Sequence, residues 1–237
     1  MSQSQLGKLL IFKGGTSLKR CYFGDYRFSE DLDFTLARAA DFAEIRGGLE
    51  EVYEYVAQAS GIRFTFDRED RQSHVNSHTF YLSYLGPLPN PNTVKVDITI
   101  AETVLFPVEQ KEILRAYKEF SYILEGQAVA VYSLNEIATE KVVALGDRAR
   151  NEPRDLYDLW FLTAHAGVEL QPLLPAIEEK LRFRNKEITG LQDRIAAKET
   201  RLKSLWNSRL GHQMETLPEF DTAFRALRRE LRQAELP

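Results

Sequence analysis

Phe12-Lys13-Gly14-Gly15-Thr16-Ser17-Leu18, followed by Arg27-Phe28-Ser29-Glu30-Asp31-Leu32-Asp33-Phe34, is the stretch on which the fold turns. An apolar run, Leu9-Leu10-Ile11-Phe12, leads into a glycine turn, and a strand with two carboxylates at i and i+2 comes after it. Strand side chains alternate between faces, so Asp31 and Asp33 are expected on one side and Leu32, Phe34 and Leu36 on the other. Two carboxylates side by side repel unless a proton or a cation lies between them. A hard divalent ion such as Mg2+ takes carboxylate oxygens and leaves room for substrate phosphates. The glycines let backbone come close to those phosphates.

A third carboxylate fits the same scheme. Val94-Lys95-Val96-Asp97-Ile98-Thr99-Ile100 alternates apolar and polar residues, the pattern of a half-buried strand. If this strand neighbours the first, Asp97 joins the polar face. Three carboxylates around one or two Mg2+ ions can activate an attacking hydroxyl and steady a leaving pyrophosphate. Asp-x-Asp alone also occurs on solvent-facing strands with no function. The glycine turn upstream and the Asp97 strand downstream raise the metal reading above that alternative.

Outward from this centre, residues 9–13 read as a strand and 16–22 as a short helix. Residues 41–59 read as a helix with Phe42, Ile45, Leu49, Val52 and Val56 on one stripe. Residues 62–66, 79–85 and 128–132 read as strands, and Gly86-Pro87-Leu88-Pro89-Asn90-Pro91-Asn92 as a loop. Helices dominate thereafter. Ser133-Leu134-Asn135-Glu136 reads as a capping box, with Glu136 reaching back to the start of the helix. That helix is expected to run to about 148, and the next from Pro153 to about 166. Residues 171–209 read as one or two long helices, and 221–233 as the last. Lys141 has Ile137, Ala138, Ala144 and Leu145 at helical spacing around it, so it lies on an apolar stripe. A lysine there either snorkels to water or meets a buried anion, for which a triphosphate is a candidate. Asp155 and Asp158 share a face of the following helix, where they either fix Lys141 or Arg154, orient an acceptor hydroxyl, or are simply solvated.

Composition sets bounds. The 237 residues are 43% hydrophobic and 28% charged, ordinary for a protein with a substantial core. No apolar run approaches a membrane span, and no signal-peptide core is visible. The single cysteine, Cys21, rules out an intrachain disulfide framework and suits the cytoplasm. The four histidines, His74, His78, His165 and His212, have no zinc-ligand spacing with it. The net charge of −4 disfavours a simple nucleic-acid binder, but its distribution is uneven. Residues 178–237 hold 13 Lys/Arg against 10 Asp/Glu, chiefly through Lys180, Arg182, Arg184, Lys186, Arg194, Lys198, Arg201, Lys203 and Arg209. An acidic half beside a basic half suits a nucleotide and an RNA backbone. A solvated mixed-charge helix has the same composition.

The ordered motifs resemble the AbiEii/AbiGii toxin family, nucleotidyltransferases of the polymerase-beta-like superfamily. The glycine turn with Asp31 and Asp33 resembles its first motif, and Lys95-Val96-Asp97-Ile98 its second. Glu140-Lys141-Val142-Val143-Ala144-Leu145 resembles the third, and Arg154-Asp155-Leu156-Tyr157-Asp158-Leu159 the fourth. The tail from Trp206, with Leu217-Pro218-Glu219-Phe220-Asp221, is also similar. The resemblance implies an α+β protein: a mixed-sheet nucleotidyltransferase domain over 1–132, then a helical domain over 133–237. It implies transfer of NMP from an NTP, with Asp31, Asp33 and Asp97 as metal and catalytic residues in a two-metal Mg2+ site. It assigns catalytic roles to Lys141 and Asp158. It assigns nucleotide contacts to Gly14, Gly15, Thr16, Ser17, Arg27, Ser29, Lys141 and Asp155. The biology it implies is a bacterial toxin–antitoxin or phage-defence pair, with a cognate antitoxin and a tRNA end as acceptor. Two departures stand out. The glycine pair is Gly-Gly where the superfamily often has Gly-Ser, and only about a dozen residues precede it, where relatives have a helix packed on the sheet. The rival readings are transfer to a small molecule such as an aminoglycoside or to a protein side chain, and a non-catalytic binding module on the same fold.

Overall fold

Alternation of period two places Phe34, Val96 and Ile98 in a core and leaves Asp33 and Asp97 half-exposed. The computed structural model describes residues 4–70, 76–86, 90–115 and 126–237. His74 and Pro87-Leu88-Pro89, named above, lie outside the described residues. The chain divides into two units: residues up to Glu102 with Val108–Tyr132, and Thr103–Pro107 with Ser133–Pro237.

The first unit begins with a short helix, α1 (Gln5–Leu9), capped by the Ser4 hydroxyl. Leu6 and Leu9 of this helix are buried in the sheet core, so a helical turn does precede the first strand. Next come β1 (Leu10–Lys13), α2 (Gly14–Ser17), a π-helical turn (Leu18–Tyr22) and β2 (Leu32–Leu36). The helix after the glycine pair thus starts at Gly14 rather than at Thr16. The strand after it starts one residue past Asp31. Cys21 lies in the core, where burial pushes its thiol up to about 12 against the opposing pull of Lys111.

Helix α3 (Phe42–Ser60) is capped by Asp41, whose carboxylate accepts from the Glu44 amide at 2.8 Å. It buries Ile45 and Leu49 against the sheet, each burial contributing about 1.5–3 kcal/mol. Gly61 ends it in the left-handed conformation at φ 73°. The remaining strands are β3 (Arg63–Glu69), β4 (Ser77–Leu85), β5 (Asn92–Thr99), β6 (Glu109–Glu112) and β7 (Ala128–Val131). The seven form one mixed sheet in the order β3-β4-β5-β2-β1-β7-β6. β2 is parallel to β5 and antiparallel to β1, and β1 is parallel to β7. The sequence offered no sign of β6. Glu109-Gln110-Lys111-Glu112 has no apolar face because it is an edge strand, paired in the sheet with β7.

The second unit is helical: α4 (Leu134–Gly146), α5 (Pro153–His165), α6 (Leu174–Phe183), α7 (Leu191–Ala196), α8 (Glu199–Leu210) and α9 (Phe220–Gln233). The expected one or two long helices over 171–209 are broken. Asn185 at φ 53° and Gly190 at φ 69° put two left-handed residues between α6 and α7. Leu156, Leu159, Trp206, Phe224 and Leu227 are buried in this unit, and the Trp206 indole donates to the Pro218 carbonyl at 2.9 Å. Only half of the expected capping box forms. The Ser133 hydroxyl accepts from the Glu136 amide at 3.2 Å, but Glu136 does not reach back. Its Oε2 accepts from the Leu105 and Phe106 amides at 2.9 and 2.8 Å, and its Oε1 lies 2.7 Å from the Lys180 ammonium. A fully buried carboxylate is held where it meets a cation and two orphan donors rather than one cap amide.

Candidate active site

In the first unit, Asp33 of β2 is the direct register partner of Asp97 of β5, and of Lys13 of β1 on its other side. Thr79 of β4 faces Asp97 from the far side. Thr79, Asp97, Asp33 and Lys13 therefore stand in one row on one face of four adjacent strands. Asp97 is tied down: Thr79 Oγ1 donates to its Oδ1 at 3.3 Å, and the Lys95 ammonium lies 3.6 Å from its Oδ2. Asp31 is outside the ladder, and its carbonyl accepts from Thr16 Oγ1 at 2.5 Å.

The glycine turn lies directly against this row. Gly14 has φ 76°, a conformation that side chains rarely adopt, and a Cβ there would sit 2.5 Å from Asp33 Oδ2. A Cβ on Gly15 would sit 2.5 Å from an Arg27 guanidinium nitrogen and 3.1 Å from Ser29 Oγ. The left-handed backbone calls for glycine at Gly14, and a side chain at Gly15 would oblige the Arg27 guanidinium to shift. Thr16 Oγ1, its proton given to the Asp31 carbonyl, accepts from the Ser29 hydroxyl at 2.9 Å, and Ser17 Oγ donates to the Gly14 carbonyl at 2.8 Å. Arg27, 3% exposed, donates to the Phe28 carbonyl at 3.3 Å. Thr16, Ser17, Arg27 and Ser29 therefore brace the turn from inside.

Among the described residues, no three His, Cys, Asp or Glu side chains are gathered so as to hold an ion by themselves. The donor set still suits a hard ion. Asp33 and Asp97 offer two oxygen donors at one level of the sheet, and bare glycine backbone leaves space beside Asp33. An ion that completes its shell with phosphate oxygens and water fits such a place.

In the second unit the Lys141 ammonium lies 2.8 Å from Asp155 Oδ1 and 2.7 Å from Asp158 Oδ2, with only 12% of its side chain exposed. Arg150 Nε donates to Asp155 Oδ2 at 2.5 Å. Burial alone would raise the Asp155 carboxyl, but Lys141 and then Arg150 outweigh it and hold it below its ordinary value. The anion that the apolar stripe around Lys141 asked for is supplied by the chain itself.

The basic residues of 178–209 are also largely engaged. Lys180 is fully buried and bonds the Thr103 carbonyl at 2.9 Å as well as Glu136. Lys198 is buried and donates to the Asp147 and Arg150 carbonyls. Lys186 pairs with Asp147 at 2.6 Å, and Arg194 bonds three backbone carbonyls. Lys180 and Lys198 are thus internal and drop out of the basic surface that the composition suggests, whereas Arg182, Arg201, Lys203 and Arg209 remain exposed. Sequence reading passed over Lys13 and the buried Thr35. The signal for Lys13 was a lysine ending an apolar strand beside a glycine turn.

Among curated proteins none matches the sequence. A solved structure, MenT4, a nucleotidyltransferase toxin from Mycobacterium tuberculosis, is similar with a TM-score of 0.61 at 21% identity, covering 96% of this chain and 75% of that one. That likeness shows the shared fold, α+β with a mixed sheet. No helix among the described residues is long and apolar enough to cross a membrane. The model of the nucleotidyl transferase AbiEii toxin family, type IV toxin–antitoxin system, matches residues 1–226, and the chain belongs to that family of nucleotidyltransferase toxins.

Proposed function

We propose that the chain moves NMP from an NTP to a hydroxyl at a tRNA end, in the cytoplasm and under the control of a cognate antitoxin, and that its site is centred on Asp33 and Asp97. The level pairing of these two carboxylates beside left-handed Gly14 carries the reading. Asp31, Asp33 and Asp97 are the residues that would hold Mg2+, which when bound would offset triphosphate charge and make the acceptor hydroxyl a better nucleophile. Gly14 keeps a side chain away from Asp33, so that a phosphate can approach it, and Gly15 leaves room for Arg27 and Ser29. Thr16, Ser17, Arg27 and Ser29 fix the shape of that turn, and pre-set shape is what brings reacting groups into line. Asp97, steadied by Thr79 and Lys95, orients the acceptor hydroxyl and takes up its proton. Lys141 would meet phosphate charge by loosening its hold on Asp155 or Asp158, and the released carboxylate, with Asp158 the more deeply buried, would orient the acceptor.

The tRNA assignment rests on the resemblance and not on the 178–209 segment. Incubating the protein with each labelled NTP, Mg2+ and total tRNA tests it, with label on tRNA as the expected result and its loss in Asp33→Asn. Label on a small molecule or a protein instead would move the acceptor. Intact NTP binding with no transfer to any acceptor would leave a binding module.

A further inference from the structure

Lys13 has no role in the scheme above, yet its side chain takes an unusual course. Its ammonium donates to Thr99 Oγ1 at 2.9 Å. Lys13 is on β1 and Thr99 on β5, and β2 lies between those strands. The lysine side chain therefore crosses β2 on the face that carries Asp33, its own register partner. A second side chain runs over the sheet in the same sense. Tyr132, next to the end of β7, reaches across β1 to donate its hydroxyl to Thr35 of β2 at 2.7 Å. Its ring centroid lies 5.6 Å from the Lys13 ammonium. Tyr132 and Thr35 are fully buried, so this layer of hydroxyls, ring and ammonium is a built part of the sheet face.

Two carboxylates at one level of adjacent strands require positive charge nearby, and Lys95, 3.6 Å from Asp97 Oδ2, supplies it at the β5 end of the pair while Lys13 comes from the β1 side. We propose that Lys13 is the internal counter-ion of the Asp33/Asp97 pair: it steadies the pair before substrate arrives and competes with the divalent ion for it. The inference rests on the metal reading of those carboxylates. Thr99 anchors the ammonium at the end of its reach and Tyr132 shields one side, so the charge is held over β2 rather than lost to solvent. A divalent ion would have to displace this charge to bind, which would lower the affinity of Asp33 and Asp97 for it. The released Lys13 ammonium would then be available to a phosphate oxygen. Lys13 is thus a positioning residue for metal and triphosphate.

The test uses Mn2+ alone, followed by electron paramagnetic resonance on the full chain without nucleotide. Lys13→Met is expected to bind Mn2+ roughly tenfold more tightly than wild type, the size of effect that one neighbouring charge produces. Lys13→Arg, which keeps the charge, is expected to bind like wild type. Metal-free Lys13→Met should melt lower than wild type and gain more from added Mn2+. Lys13→Gln keeps a polar group without the charge and takes the place of the methionine variant should that variant not fold. Equal or weaker Mn2+ binding by the uncharged variants, with binding abolished in Asp33→Asn, overturns the counter-ion and leaves the metal site standing. Mn2+ binding that Asp33→Asn leaves unchanged, or none in any form, overturns both.

Discussion

In the sheet unit, Lys13, Asp33, Asp97 and Thr79 form one row on a half-exposed face. In the helical unit, Lys180 with Glu136, and Lys141 with Asp155 and Asp158, are buried and bonded to one another. Both regions bring unlike charges together, but with different consequences. Buried partners that satisfy each other within the chain must loosen that bond before either can serve a ligand, and removing one strands the other in a medium that solvates it poorly. Partners lined up on an open sheet face keep donor capacity toward what arrives from solvent. Charge on the sheet face should therefore act mainly on activity, and removal of a buried charge in the helical unit should first of all cost stability.

The largest expected effect lies on the sheet side. Asp33→Asn removes one charged oxygen donor and little volume, so transfer should fall a thousandfold or more, several kcal/mol of transition-state stabilisation. The midpoint of urea unfolding should stay within about 1 kcal/mol of wild type, because a half-exposed carboxylate is lost from a crowded pair. A variant that unfolds readily and still transfers at the wild-type rate per folded molecule would break the comparison from this side.

On the helical side the sharpest variant is Lys180→Met. Glu136 would keep its two backbone donors, from Leu105 and Phe106, but lose its cation while fully buried. The expected cost is about 3–5 kcal/mol. Adding Glu136→Gln should recover most of that loss, since an amide oxygen still accepts from both backbone amides and carries no charge. Urea titration of the two variants checks this. A double variant no better than the single one would mean that packing around Lys180, and not the stranded charge, sets the cost.

These pairings also mark what the sequence could and could not reveal. The α+β class and most elements were legible, because period-two and period-3.6 patterns record which face is buried. Asp33 and Asp97 could be put on polar faces for the same reason, but their level pairing depends on strand order and register. These are set by contacts far apart in sequence. Lys141 was placed on an apolar stripe by its neighbours, while its two carboxylate partners needed the packing of α5 to bring them within reach. Lys180 and Lys198 were misjudged because a charge count holds no information on burial. Glu136 was misjudged because a local motif was assigned a local partner, when amides about thirty residues earlier in the chain offered more. β6 left no pattern because an edge strand of charged residues buries no face.

Acidification tests the second buried cluster. The Asp155 carboxyl lies below its ordinary value in the folded protein, where Lys141 and Arg150 outweigh the effect of burial. A carboxyl depressed on folding contributes stability that is complete above its unfolded value of about 4 and is lost as pH falls through the folded value. Melting temperature should therefore drop steeply below about pH 4 in wild type. Arg150→Gln, which removes one of the two cations, should lower stability at neutral pH and flatten that acid limb. An unchanged acid limb in this variant would place the linkage elsewhere.

The smallest effect is expected where a helical-unit ion pair is open to solvent. The Lys203 ammonium lies 2.8 Å from both Asp221 carboxylate oxygens, as close as the buried pairs, but 55% and 50% of the two side chains remain exposed. Water solvates both partners nearly as well apart as together, and ordering a long lysine offsets part of the attraction. Lys203→Ala should cost only about 0.2–1 kcal/mol, a loss that shrinks further at high salt. Distance alone ranks this pair with Lys180 and Glu136, whereas burial separates them by several-fold. Urea midpoints for the two lysine variants at low and high salt decide between these rankings. A Lys203→Ala cost of several kcal/mol that salt does not reduce would show that short contact, rather than exclusion of water, sets what a charge pair contributes here, and the contrast between the two units would lose its physical basis.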